Sequence, residues 1–255
     1  MPAPPQPTLP VLALDTSTEI IAAGLHTGRD AFTVLAPGGA LASAQLIPQL
    51  QALLGRAGLA WVDLGAIAFG QGPGAFTGLR TACAVAQGLA YGLQLPLLPI
   101  DSLLVVAEDA RWQAADAEQD VDIGVALDAR MNEAYAARYR WQGGCWQTLQ
   151  APALFSLAAL AEAWARVQQQ TLAGSALAAF GDRLVLPAAW PRVEREHDRA
   201  AALLRLAQAA VLAGEGLDPA LALPLYLRDR VALTTAERAA VKARAADLAS
   251  IDRAA

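Results

Sequence analysis

The chain has 255 residues and a mass of 26.5 kDa; 55% of it is hydrophobic and 17% charged. That length holds one large or two small domains, and the apolar share excludes a disordered chain. With a net charge of −5, a pI of about 5.0 and Lys242 as the sole lysine, the chain shows no lysine/arginine cluster of the kind that grips nucleic-acid phosphates. No stretch reaches the ~18 apolar residues of a membrane span. The proline-rich first ten residues lack the charged-then-apolar order of a signal peptide. Cys83 and Cys145 match no zinc or redox spacing. A soluble cytoplasmic protein is expected, with no membrane contact.

In chain order, residues 11–14 read as a short apolar strand ending at Asp15. Residues 19–26 and 31–35 read as two more strands around a Thr27-Gly28-Arg29-Asp30 turn. Leu46, Ile47, Leu50, Leu53 and Leu54 recur at spacings of three and four and predict a helix from Ser43 to about Gly58. A small-residue strand at 65–70 leads through a glycine loop into a second helix over about 77–92. A strand at 95–100 follows, and Asp101 or Ser102 caps a third helix reaching about Asp109. The polar segment 111–119 reads as a crossing between domains.

The pattern then restarts. Residues 122–127 form a strand ending at Asp128, residues 133–141 form the next, and Gly143-Gly144 turns it into a third before a helix over 156–167. Ala13-Leu14-Asp15 and Ala126-Leu127-Asp128 stand 113 residues apart, each followed by a hairpin. Such a repeat reorganises the fold reading. The expectation is a duplicated actin-like ATPase fold of the ribonuclease H-like class (ASKHA), two similar α/β domains over residues 1–108 and 109–225. A C-terminal segment, 226–255, returns to the first domain. Within the second half, residues 199–212 are helical, 224–228 are extended, and a Thr234-Thr235-Ala236-Glu237 capping box opens a last helix to about Ile251.

The most distinctive stretch is Gly72-Pro73-Gly74-Ala75-Phe76-Thr77-Gly78-Leu79-Arg80. A glycine loop at a helix N-terminus can turn backbone N–H groups toward an anion, with Thr77 capping the first turn. The same glycines also serve a tight turn that packs its helix closely on a neighbour. Walker A chemistry is excluded, since no lysine follows the last glycine.

This run, with Gln87-Gly88-Leu89-Ala90 after it, closely resembles the signature of the TsaB (YeaZ) family. The likeness continues through Leu14-Asp15-Thr16-Ser17-Thr18, Leu127-Asp128-Ala129-Arg130-Met131, Glu133, Tyr135 and Tyr226-Leu227-Arg228. It spans roughly residues 11–230. Where the family has a His and a Gln before its first helix, this chain has Leu41-Ala42-Ser43-Ala44-Gln45.

The resemblance implies a non-catalytic scaffold that pairs with TsaD, its larger homologue. TsaD, with TsaE, and with TsaC supplying threonylcarbamoyl-adenylate, modifies a tRNA adenosine. On this reading ATP and metal belong to the partner, this chain needs no cofactor, and tRNA is met only indirectly. The pairing surface in the family is built from the first two helices. In this chain the expected contact residues are Leu46, Leu50 and Leu53, then Thr77, Arg80, Ala82, Cys83, Ala86 and Ala90, because small residues at spacings of four admit a close helix. A homodimer through the same patch would be isologous. Asp15, Thr16 and Ser17, facing Asp128 and Arg130, mark a vestigial nucleotide or anion site in the cleft, degenerate because Ala129-Arg130-Met131 replaces a second phosphate loop. The alternatives are an actin/hexokinase-like ATPase or small-molecule kinase, and more remotely a peptidase. His26 and His197 are the only histidines, without metal-ligand spacing, and no Gly-x-Ser-x-Gly elbow is present.

Overall fold

The computed structural model describes residues 9–114 and 116–228; the expected C-terminal helix from Thr234 lies outside them. Two five-stranded sheets carry the fold. The first contains β1 (Val11–Asp15), β2 (Ile20–His26), β3 (Ala31–Pro37), β4 (Ala66–Gly72) and β5 (Leu97–Asp101), in the order β3-β2-β1-β4-β5. The second contains β6 (Val121–Asp128), β7 (Glu133–Gln142), β8 (Cys145–Ser156), β9 (Thr171–Ala173) and β10 (Arg192–Val193), in the order β8-β7-β6-β9-β10. In each, the first strand pairs antiparallel with the second and parallel with the fourth. The duplication expected from the two Ala-Leu-Asp runs is therefore present as repeated topology.

The helices form three layers around these sheets. α1 (Ala42–Ala57) and α2 (Phe76–Leu93) cover the outer face of the first sheet. The alternation of β1 decides which side chains they meet: Leu12 and Leu14 point to these helices, Val11 and Ala13 to the opposite face. That opposite face is covered by α6 (Arg199–Leu212) and α3 (Ser102–Trp112). α3 uses its other side, Leu103, Val106, Ala107 and Ala110, against Ile123, Val125 and Tyr139 of the second sheet. The second sheet is closed by α4 (Leu157–Ala165) and α5 (Ala176–Phe180), with Leu160, Trp164 and Phe180 inward. Side-chain caps start three of the helices: Asp101 accepts from Leu103 N, Ser156 from Ala159 N and Asp198 from Ala201 N.

Two expectations change here. The helix at 199–212, placed by sequence in the second domain, packs on β1 and β4 of the first sheet, because Ala202, Leu203 and Ala207 meet Val11, Ala13, Ala66 and Ala68. The seven alanine, cysteine and leucine residues expected at a partner surface are core. Leu46, Leu50, Leu53, Ala82, Cys83, Ala86 and Ala90 are all buried against the chain's own first sheet. The close packing that small residues permit is used inside the chain, between α2 and its sheet.

Candidate functional site

The two lobes face each other across a cleft of about 660 Å³. Its walls are the Ser17–Ile20 turn and the start of α2 on one side, and the end of β6 with Tyr135 and Ser175 on the other. The described residues contain no group of three His, Cys, Asp or Glu placed to hold a metal ion.

On the first wall, Asp15 ends β1 and is only 1% exposed. Its Oδ1 accepts the Ser17 N–H at 2.5 Å. Its Oδ2 accepts from Arg199 Nη2 at 3.1 Å and from the Ser102 hydroxyl at 3.3 Å. Arg199 is equally buried; it also donates to Ser17 Oγ at 3.0 Å and to Glu196 Oε2 at 2.6 Å. Burial works against the guanidinium charge, but the Asp15 and Glu196 carboxylates outweigh it and raise the Arg199 pKa above its ordinary value. Thr16 Oγ1 donates to Gly78 O at 2.7 Å. The Asp15, Thr16 and Ser17 side chains thus already have partners within the chain.

The glycine loop packs on that same turn. A Cβ on Gly78 would overlap Thr16 O, and one on Gly70 would overlap the Asp15 carboxylate. Ala75 N donates to Ser17 O at 2.7 Å. The loop therefore serves the tight approach of α2 to the β1 turn. The helix opens with Ala75 as its N-cap and no side-chain cap. Thr77, expected to cap it, stands one residue inside the helix with its side chain exposed.

On the second wall, Asp128 is partly exposed and accepts from Arg130 N at 2.7 Å and from Arg130 Nη1 at 3.5 Å. Arg130, Met131 and Asn132 all take the left-handed conformation, with φ of 64, 56 and 58°. Such backbone is sparsely populated by residues with a Cβ and persists only where surrounding contacts hold it. Ser175 Oγ accepts the Asp128 N–H at 3.2 Å. Of the five anion-site candidates, Ser17 lines one wall of the cleft and Asp128 and Arg130 the other, while Asp15 and Thr16 are buried and do not line it.

Arg80 and Thr77 are exposed on α2. The Arg80 guanidinium stacks on Phe76 at 3.8 Å and its Nε donates to Tyr226 Oη at 3.1 Å. Apart from Arg80 and Thr77, the outward sides of α1 and α2 carry residues that were not expected there. Leu41, Ile47 and Tyr91 are 51%, 42% and 75% exposed, with Ala44, Pro48, Ala84 and Gly88 among them. Sequence reasoning also missed Arg199, which lies 184 residues from the aspartate it neutralises. Its signal was the arginine opening an apolar helix directly after the Asp198 cap. The mixed charge of residues 194–199 reads as a solvated surface; residues 194–198 are partly or fully exposed, but Arg199 is buried because it pairs with Asp15.

Comparison with known proteins places this geometry in a family. The family model described as TsaD, tRNA N6-adenosine threonylcarbamoyltransferase, matches residues 41–233. The tRNA threonylcarbamoyladenosine biosynthesis protein TsaB of Haemophilus influenzae is 37% identical over 127 residues, 50% of this chain and 52% of that protein. TsaB of Escherichia coli is 36% identical over 139 residues, 53% of this chain and 58% of that protein. The matched region thus spans little more than half the length of these curated relatives. The solved structure of YeaZ from Pseudomonas aeruginosa is 35% identical, superposes with a TM-score of 0.75, and covers 86% of this chain and 99% of its own. With topology, glycine loop and both strand-end aspartates in place, the chain belongs to the TsaB/YeaZ family.

Proposed function

We propose that this chain is the non-catalytic subunit of a tRNA threonylcarbamoyladenosine-forming complex, pairing with a TsaD-type transferase in the cytoplasm. TsaE joins the complex, TsaC supplies the threonylcarbamoyl-adenylate, and the partner carries ATP and metal. The observation that carries this reading is the Asp15–Arg199 pair. The first lobe's strand-end carboxylate, which an ATPase of this architecture would turn toward a cation, is neutralised inside the chain by a buried arginine. Taking that arginine away leaves an uncompensated buried charge, so the site does not open cheaply to a metal.

The partner surface is the outward side of α1 and α2, where Ile47 and Tyr91, the N-cap Leu41 and the small residues Ala84 and Gly88 are exposed. A Cβ at Gly88 meets nothing within 4 Å, so a large side chain fits there without disturbing the fold. Gly88→Arg and Ala84→Arg are expected to lower affinity for the TsaD-type partner at least tenfold, roughly the 1.4 kcal/mol that one decade represents. The check is co-purification followed by native mass spectrometry. Complexes that survive both substitutions would remove this surface. Titration of the isolated chain with Mg-ATP is expected to give no turnover; robust hydrolysis would overturn the non-catalytic reading.

A further inference from the structure

We propose that residues 222–228 form a strap across the cleft that sets the separation of the two lobes. The segment has no regular structure; its bonds go to the first lobe up to Tyr226 and to the second lobe at Arg228. On the first lobe, Leu225 N donates to Gln71 O at 2.8 Å and Gln71 Nε2 donates to Leu223 O at 3.0 Å. Tyr226 lies 5.2 Å from the Phe76 ring and accepts from Arg80. Two residues later the chain has crossed. Arg228 pairs with Glu133 Oε2 at 2.7 Å and donates to Ala129 O at 3.0 Å, both on the second lobe. Residues 225–228 line the cleft throughout.

The crossing is built to hold. Arg228 is only 13% exposed, so its ion pair is partly shielded from water and salt. Its bond to Ala129 O anchors the turn whose next three residues are left-handed, a conformation that needs support from outside itself. On the opposite side the lobes meet through α3, where Glu108 accepts from Trp146 Nε1 at 3.0 Å and from Arg205 Nε at 2.5 Å. These contacts all lie along α3; the strap adds a link on the cleft side. The strap thus bridges the cleft from within the chain.

The test measures the distance between spin labels at Val62 and Val185, exposed positions on the two lobes, in a Cys145→Ser background where Cys83 stays buried. Arg228→Ala, Tyr226→Ala and the size-conserving Glu133→Gln are each expected to lengthen and broaden the distance distribution. The exchanged pair Arg228→Glu with Glu133→Arg restores the ion pair but not the donation to Ala129 O, and is expected to recover part of the wild-type distance. Amide exchange at residues 129–133 should rise at least tenfold in Arg228→Ala, with α3 unchanged. Wild-type distances in all three variants would overturn the proposal. So would faster exchange at 129–133 with no change in distance, since Arg228 would then support only its local turn.

Discussion

The two halves of the molecule share one strand plan and treat the same residue differently. Asp15 and Asp128 each end the first strand of a sheet with identical topology. Asp15 is sealed under Arg199, Ser17 and Ser102, whereas Asp128 stands on the lip of the cleft beside a largely exposed Arg130. The helices diverge in parallel. α1 and α2 run to 16 and 18 residues and leave an apolar outward side; α4 and α5 run to nine and five. In one half the cleft turn is buried and the outer helices are long. The other keeps an open turn and a thin covering. The first arrangement suits the scaffold role proposed above, because a rigid lobe presents a fixed surface.

The largest effect that would break this contrast is at the aspartates. Asp15→Ala leaves Arg199 charged and buried without its main partner, and is expected to cost about 3–5 kcal/mol in urea unfolding. Asp128→Ala removes a pair whose arginine is 77% exposed, and is expected to cost under ~1 kcal/mol. Equal losses would mean that the two turns are not differently built. Arg199→Ala should match Asp15→Ala, and the double variant should lose much less than the sum, since the two act as one unit.

A middle-sized effect separates the two sides of α2. Gly78 faces the Asp15–Ser17 turn, so Gly78→Ala must move backbone and is expected to destabilise by about 1–3 kcal/mol. Gly88, exposed on the same helix, should gain about 0.5–1 kcal/mol as Gly88→Ala, from the lower entropy of the unfolded chain. Thermal unfolding of the two variants reads both signs.

Much of this was legible in sequence. The repeated strand–aspartate–hairpin order gave the duplication, and the 3.6-residue spacing of Leu46, Leu50 and Leu53 gave α1. The inward side of α2 was not legible, because alanine, glycine and threonine occur all around it. A helical wheel without polar contrast does not say which stripe meets the sheet. Ala82, Ala86 and Ala90 and the outward pair Ala84 and Gly88 are equivalent by composition. Only the β4–α2 loop, folded onto Thr16 and Ser17, decides between them. β9, α5 and β10, at three, five and two residues, are too short for periodicity to show. Arg199 finds Asp15 through the layer of α6 against β1, a pairing that no local pattern announces.

The smallest expected effect lies in the hairpins. The first sheet turns at His26, whose Nδ1 accepts the Gly28 N–H at 3.0 Å, while the second turns at Gly143-Gly144, where the Asp120 carboxylate, not a histidine, accepts the Gly143 N–H at 3.2 Å. Burial pulls the His26 pKa below its ordinary value of 6.5, with Asp30 opposing. The folded chain therefore takes up a proton on His26 less readily than the unfolded chain does. Its contribution is fully present above pH 6.5 and is lost as pH falls through the lower folded value, where the protonated ring no longer accepts from Gly28. Wild type and His26→Gln, compared by thermal unfolding at neutral and mildly acidic pH, should diverge at neutral pH and draw together in acid. A constant difference between them would show that the first hairpin is no more pH-sensitive than the second.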